Sequence, residues 1–375
     1  MRVRGAVLRE MGLPAPYTES RPLEIAELEL DPPGPGELLV RVRAAGLCHS
    51  DLSVIDGSRP RVMPMVLGHE AAGEVVEAGP GVAGFAQGDH VVLAFVPTCG
   101  ECGPCRAGRA ALCEPGAAAN TAGTLLSGER RWHPASGGDE ELHHHLGVSA
   151  FADYAVVARE SVVVIDDDVP DTVAAMFGCA VLTGMGAVLN TAAVTAGQSV
   201  AVFGLGAVGL SAVMAASLAE AGSVIAIDPN SGKHQLALDC GATAVGTPED
   251  AAGLIAEAAG DGVDVAVEAV GSAGVIAACL GHVTRGGAVV SVGLPHPSAE
   301  LTVPALQFAG AGKRLLGSYM GDAVPGRDIP LYLGYWREGR LPVELLHTDT
   351  RPLTEINEGL DALASGQVVR RLFTA

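Results

Sequence analysis

Four cysteines, Cys99, Cys102, Cys105 and Cys113, stand in one run with the spacing C-x2-C-x2-C-x7-C. Four thiolates on one short loop can wrap a tetrahedral ion, and Gly100, Gly103 and Pro104 between them suit a lobe folded around metal. The run predicts a zinc site, and four protein ligands leave no open position, so that zinc is structural. Other metal-binding residue types are dispersed. Cys48-His49-Ser50-Asp51 follows an apolar stretch, Gly68-His69-Glu70 lies between two others, and Gly178-Cys179-Ala180 precedes a helix-like run. Taken singly, Cys179 and His69 are more often core or surface residues than ligands, and their spacing alone does not join them to Cys48.

A third feature concerns phosphate. The apolar run Ser199–Phe203 leads into Gly204-Leu205-Gly206-Ala207-Val208-Gly209 and then into a helical run from Leu210 to Ala221. Strand, G-x-G-x-x-G, helix is the context in which this motif binds a dinucleotide. Gly204 permits the tight turn, Gly206 the approach of a pyrophosphate, and Gly209 the close packing of helix on strand. The helix start, at Ala207 and Val208, then offers unpaired amides and the positive end of its dipole to the phosphates. A second strand, Ser223–Asp228, ends in an acid 19 residues past Gly209. An acid there accepts hydrogen bonds from the ribose hydroxyls and repels a 2′-phosphate, and Pro229 rather than an arginine follows, so NAD is favoured over NADP.

The elements that must position these groups are legible in outline. Strands at Ser199–Gly204, Ser223–Asp228, Val263–Val270 and Gly287–Val292 alternate with helical runs, which predicts a parallel, doubly wound sheet. Glu37–Gly46 alternates apolar and polar residues as a half-buried strand does. With 375 residues the chain is long enough for two domains, and its hydrophobic content of 49% excludes general disorder. A net charge of −20 argues against nucleic acid as a partner. No membrane span and no leader are expected, since Met1-Arg2-Val3-Arg4-Gly5-Ala6 runs into no long apolar core. Cys240 and Cys279 sit in apolar stretches as inert core thiols, and metal-bound and free thiols together point to the reducing cytoplasm.

In their order along the whole chain, Gly-x-Cys-His-Ser-Asp, Gly-His-Glu, the four-cysteine run, Gly-Cys and Gly-x-Gly-x-x-Gly resemble the zinc-dependent medium-chain alcohol dehydrogenases, in particular the longer, class III-like bacterial members. The resemblance implies an α/β protein: a Rossmann coenzyme domain, residues 181–320, inserted in a mainly β, GroES-like catalytic domain. That domain comprises residues 1–180, with the zinc lobe at about 97–115, and 321–375. It implies two zinc ions per chain, with Cys48, His69 and Cys179 holding a catalytic one whose fourth position is open. It further implies that an alcohol loses its proton at that zinc and gives a hydride to NAD. Ser50 is implied as a proton relay, Asp51 as the partner that orients His69, and Glu70 as a neighbour of the metal. His49 and Arg370 are implied to face the pyrophosphate, and Lys233 to lie near the adenosine ribose. Val292, Gly293 and Leu294 are implied along the nicotinamide, and Phe95 in the substrate channel. The chain departs from the pattern at Ser53, where many relatives carry a relay histidine.

The polar stretch from about Asn120 to Gly147, with Trp132, Gly137-Gly138 and His143-His144-His145, resembles the insertion of the longer, usually dimeric members. It is expected as a solvated loop rather than a third metal site. The expected function is reversible oxidation of a primary aliphatic or benzylic alcohol to its aldehyde, by a cytoplasmic homodimer acting on small molecules. The first alternative is oxidation of a formaldehyde–thiol adduct. Glutathione itself is disfavoured, because Ala117 stands where the glutathione enzymes have a carboxylate-binding arginine, which leaves a thiol such as mycothiol. The minor alternative is a zinc-free reductase or a structural relative, against which the joint presence of Cys48, His69 and Cys179 argues.

Overall fold

The computed structural model describes residues 1–138 and 140–374. The chain divides into two units. One comprises Met1–Cys179, Val324–Pro330 and His347–Ala375, the other Ala180–Ala323 and Leu331–Leu346. The expected last segment, 321–375, is therefore split. Leu331–Leu346 packs with the second unit, where Leu333, Leu341, Val343 and Leu346 are buried.

The first unit is built on two mainly antiparallel sheets. One runs Val162–Ile165, His90–Leu93, Ala71–Ala78, Glu37–Gly46, Arg370–Thr374 and His347–Pro352, with Tyr154–Ala158 also paired to Glu37–Gly46. Glu37–Gly46 has the expected bounds but not the expected half-burial, since only Arg41 and Arg43 escape the interior. It is a central strand with partners along both edges, so both faces are largely covered. The second sheet runs Trp132–Pro134, Leu23–Leu30, Arg2–Leu8, Met65–Val66 and His143–His144. Phe151, Leu38, Leu47, Leu67 and Phe373 share the main core. Each such fully buried side chain contributes roughly 1.5–3 kcal/mol of transfer free energy.

The second unit holds a six-stranded sheet in the order Ala244–Gly246, Ser223–Ile227, Ser199–Phe203, Val263–Glu268, Val283–Ser291 and Arg314–Gly317. Every pairing is parallel. Numbered along the chain this is the 3-2-1-4-5-6 order of a dinucleotide-binding sheet, as the strand–helix alternation predicts. Ala207–Leu218 is buried nearly all round, so its composition is apolar on every face. The strand expected to reach Val270 stops at Glu268, whose Oε1 accepts the N–H groups of Val270, Gly271 and Ser272 and turns the backbone out of the ladder. Cys240 and Cys279 are buried, and burial pushes the Cys240 thiol up to about 12. Among the described residues no single helix is long and apolar enough to cross a membrane.

Candidate metal centres and dinucleotide site

Sγ atoms of Cys99, Cys102, Cys105 and Cys113 all lie within 4.8 Å of one another. The loop turns its amides onto the sulfurs: Cys99 and Gly116 donate to Cys113 Sγ at 3.3 and 3.4 Å. Glu101 and Cys102 donate to Cys99 Sγ, both at 3.4 Å. The Cys105 and Glu114 amides bring the Cys102 thiol down to about 7, while burial and the neighbouring Cys102 push Cys105 up to about 12. Adjacent thiols thus resist ionising together, and a divalent cation at their centre removes that resistance. The donor set fits zinc.

In the same unit, three distant segments converge. Cys48 lies at the end of the turn after strand Glu37–Gly46 and starts helix His49–Ile55. His69 follows Gly68, whose φ is +92° and whose α-carbon sits against the Phe151 amide, so a side chain there would collide with backbone. Cys179 lies between the short helical segments Ala175–Gly178 and Ala180–Gly186. Cys48 Sγ, Cys179 Sγ and a ring nitrogen of His69 come within 4.8 Å of one another, all buried. His69 Nδ1 is 3.0 Å from Asp51 Oδ1, while Nε2 is buried without a hydrogen-bond partner. An unpartnered imidazole nitrogen beside two thiols is the arrangement a zinc ion completes.

The electrostatics favour an ionised Cys48 and a neutral Cys179, whose thiol the Cys48 hydrogen bond and burial push well up. A hydrogen bond from Cys179, with Arg370 and His69 nearby, holds the Cys48 thiol well below its ordinary value despite burial. Burial opposes charge on Asp51, yet His69 and His145 hold its carboxyl down to about 2. Arg370 and Glu70 stand beside this cluster: Arg370 Nε is 3.3 Å from Glu70 Oε1, and Arg370 Nη1 donates to Leu47 O at 2.6 Å. Phe95 meets the His69 ring edge-on, with centroids 5.8 Å apart. Ser50 Oγ is 3.8 Å from Cys48 Sγ, and His49 is exposed. Ser53 Oγ donates to its own helix at His49 O, 2.8 Å, so its hydroxyl is committed to the backbone.

The histidine run departs from expectation. His143, His144 and His145 are all buried, not solvated. His143 and His144 form a short strand parallel to Met65–Val66, and Trp132 and Leu142 are buried with them. Pairing and apolar flanks draw in a stretch whose composition reads as loop; of it, Asp139 lies outside the described residues. His145 comes against His69 and Asp51, a neighbour that sequence reasoning missed. The apolar residues around the run, Leu142, Leu146 and Val148, were the available signal.

In the second unit the glycine turn has the expected local form. Gly204 has φ +93°, and Gly209 sits so close to the Gly204 carbonyl that no Cβ fits. Gly206 precedes Ala207–Leu218 and provides no side-chain cap for the first-turn amides. Asp228 ties this turn to the next strand: Oδ2 accepts Leu205 N–H at 2.7 Å and Oδ1 accepts Asn230 N–H at 2.9 Å. Lys233 Nζ lies 3.5 Å from Asp228 Oδ2. Val292 and Gly293 donate their amides to Glu268 O, and Leu294 beyond them is exposed.

Residues 34–167 match the alcohol dehydrogenase GroES-like domain and residues 207–333 the zinc-binding dehydrogenase domain. The chain is 36% identical to an S-(hydroxymethyl)glutathione dehydrogenase of Synechocystis, over 99% of both chains. It is 37% identical to one from Escherichia coli, over 94% of this chain and 96% of that one. Among solved structures, an alcohol dehydrogenase zinc-binding domain protein from Burkholderia ambifaria superposes with a TM-score of 0.93 at 35% identity. Benzyl alcohol dehydrogenase from Acinetobacter calcoaceticus gives 0.92 at 30%. Both cover 100% of this chain and 99% of their own. The chain belongs to the zinc-dependent medium-chain alcohol dehydrogenases, oxidoreductases that act on CH–OH groups with zinc and NAD.

Proposed function

We propose that this protein oxidises a primary alcohol, aliphatic or benzylic, reversibly to the aldehyde with NAD. Cys48, His69 and Cys179 hold the catalytic zinc, and Cys99, Cys102, Cys105 and Cys113 the structural one. The observation that carries this reading is the buried convergence of two thiols with the unpartnered Nε2 of His69. Bound zinc supplies Lewis acidity toward the alcohol oxygen, and the nicotinamide supplies the hydride acceptor.

The chain's own residues do the rest. Asp51 fixes the His69 ring through Nδ1, which leaves Nε2 to face the metal. Ser50, beside Cys48, takes the departing proton and hands it toward the ribose; Ser53, bonded to its own helix, does not finish that transfer. Phe95 walls the substrate side of His69. Glu70 and Arg370 form an ion pair next to the thiols, so the arginine charge reaches the metal ligands. The amides of Ala207 and Val208, with Gly204, Gly206 and Gly209, receive the pyrophosphate. Asp228 and Lys233 bind the adenosine ribose, and Val292, Gly293 and Leu294 line the nicotinamide. A cytoplasmic homodimer is part of the same reading, and eight unpaired cysteines support the compartment.

A second reading, oxidation of a formaldehyde–thiol adduct, is favoured by the names of the relatives in Synechocystis and Escherichia coli. Glutathione suits this chain poorly, because Ala117, exposed on helix Glu114–Ala122, offers no charge to a carboxylate. Steady-state NADH formation separates the two. Turnover of benzylic or aliphatic alcohols without thiol supports direct oxidation. Activity that appears only when formaldehyde is given with a small thiol supports the adduct.

A further inference from the structure

Asp51 is a fully buried carboxylate, and a buried charge is tolerated only when its oxygens are engaged. Oδ2 accepts the Cys48 N–H at 3.0 Å, and Oδ1 faces His69 Nδ1 at 3.0 Å. An ionised carboxylate has room for about four donors. One more polar atom is aimed at it: His145 Nδ1, 3.3 Å from that same Oδ1 and without a hydrogen-bond partner elsewhere. The His145 ring also meets the His69 ring edge-on, with centroids 5.3 Å apart and planes at 84°.

The backbone that delivers His145 is held in an uncommon shape. Leu146 and Ser149, neither of them glycine, both have φ +51°. Such conformations are costly for residues other than glycine and persist where the surroundings impose them. Ser149 Oγ accepts the His145 N–H at 2.9 Å and donates to Val66 O at 2.8 Å, which pins the turn to the strand leading to Gly68 and His69.

We propose that His145 is a positioning residue for the catalytic metal, acting through Asp51: its Nδ1 edge holds the carboxylate with Oδ1 on His69. The inference rests on the zinc assignment of His69 made above. Partners that orient a ligating histidine govern how tightly the metal is held.

The test uses the full-length protein and reads zinc rather than turnover. His145→Phe keeps an aromatic ring against His69 and deletes the nitrogen. His145→Asn returns an amide N–H near the place of Nδ1. His145→Leu replaces the phenylalanine variant should that one not fold. Zinc per chain is counted, its release to a chelating dye is timed, and the visible absorption of the cobalt-substituted protein is recorded. His145→Phe is expected to release one of two zinc ions about 10-fold faster than wild type and to shift the cobalt absorption, with His145→Asn recovering most of both. Release at the wild-type rate with an unchanged cobalt spectrum overturns the proposal. Three zinc ions per wild-type chain overturns it too, since His145 would then be a ligand with Asp51. A wild-type chain with only one zinc refutes the zinc assignment itself, and the inference falls with it.

Discussion

Arg370 and Glu70 pair inside the protein, Nε to Oε1 at 3.3 Å, although they lie near opposite ends of the chain. The arginine is also anchored on the Leu47 carbonyl, one residue before Cys48. A cation expected to face cofactor phosphate is thereby built into the wall of the metal cluster. Removing one partner of a buried pair leaves an uncompensated charge, at about 3–5 kcal/mol. Arg370→Met is expected to lower stability by about that much, read as a shift of the urea midpoint. A midpoint equal to that of wild type would contradict the buried pairing.

Asp228 serves two ends. Its oxygens hold the Leu205 and Asn230 amides, so truncation to alanine would loosen the glycine turn as well as remove charge. Asp228→Asn keeps an acceptor there and removes the repulsion toward a 2′-phosphate. The ratio of kcat/KM for NAD over NADP is expected to fall at least about tenfold, or ~1.4 kcal/mol. An unchanged ratio would count against the ribose assignment.

His144 makes the fold sensitive to acid. Burial, with Arg131 nearby, brings its imidazole from 6.5 down to about 3. Between those values the unfolded chain binds a proton that the folded chain refuses. Stability therefore falls as pH drops below about 6.5, by at most ~1.4 kcal/mol per pH unit from this group. His90 acts oppositely: the Asp171 hydrogen bond raises it, so its contribution is full below 6.5 and lost as pH rises through the raised value. The difference between wild type and His144→Gln in urea unfolding from pH 7 to 5 isolates the buried ring. The variant is expected to show the shallower loss, and parallel curves would refute this.

Local sequence was enough where the chemistry is local. The run from Cys99 to Cys113 carries its ligands and turns within one lobe, and strand, glycine turn and Asp228 are consecutive elements of one sheet. Cys48, His69 and Cys179 are a different case. Their convergence depends on Gly68 packing against Phe151 and on strand Glu37–Gly46 lying in mid-sheet, which no local pattern encodes. Only the ordered set of motifs joined them. His145 is hard to read because a polar run beside Gly137-Gly138 has the composition of a loop, and only the flanking Leu142, Leu146 and Val148 signal burial; a two-residue strand pairing of His143 and His144 with Met65–Val66 draws the run in. The apolar residues of Leu331–Leu346 likewise fix that the segment is buried, not against what; it groups with the second unit.

The most direct test of the account is the zinc content of Cys48→Ser beside wild type, with NADH formation measured on the same samples. Wild type is expected to hold two zinc ions per chain, and the variant one, with turnover lost and NAD binding kept. A Cys48→Ser protein with two zinc ions and normal turnover would contradict the assignment of Cys48, His69 and Cys179 as the catalytic centre.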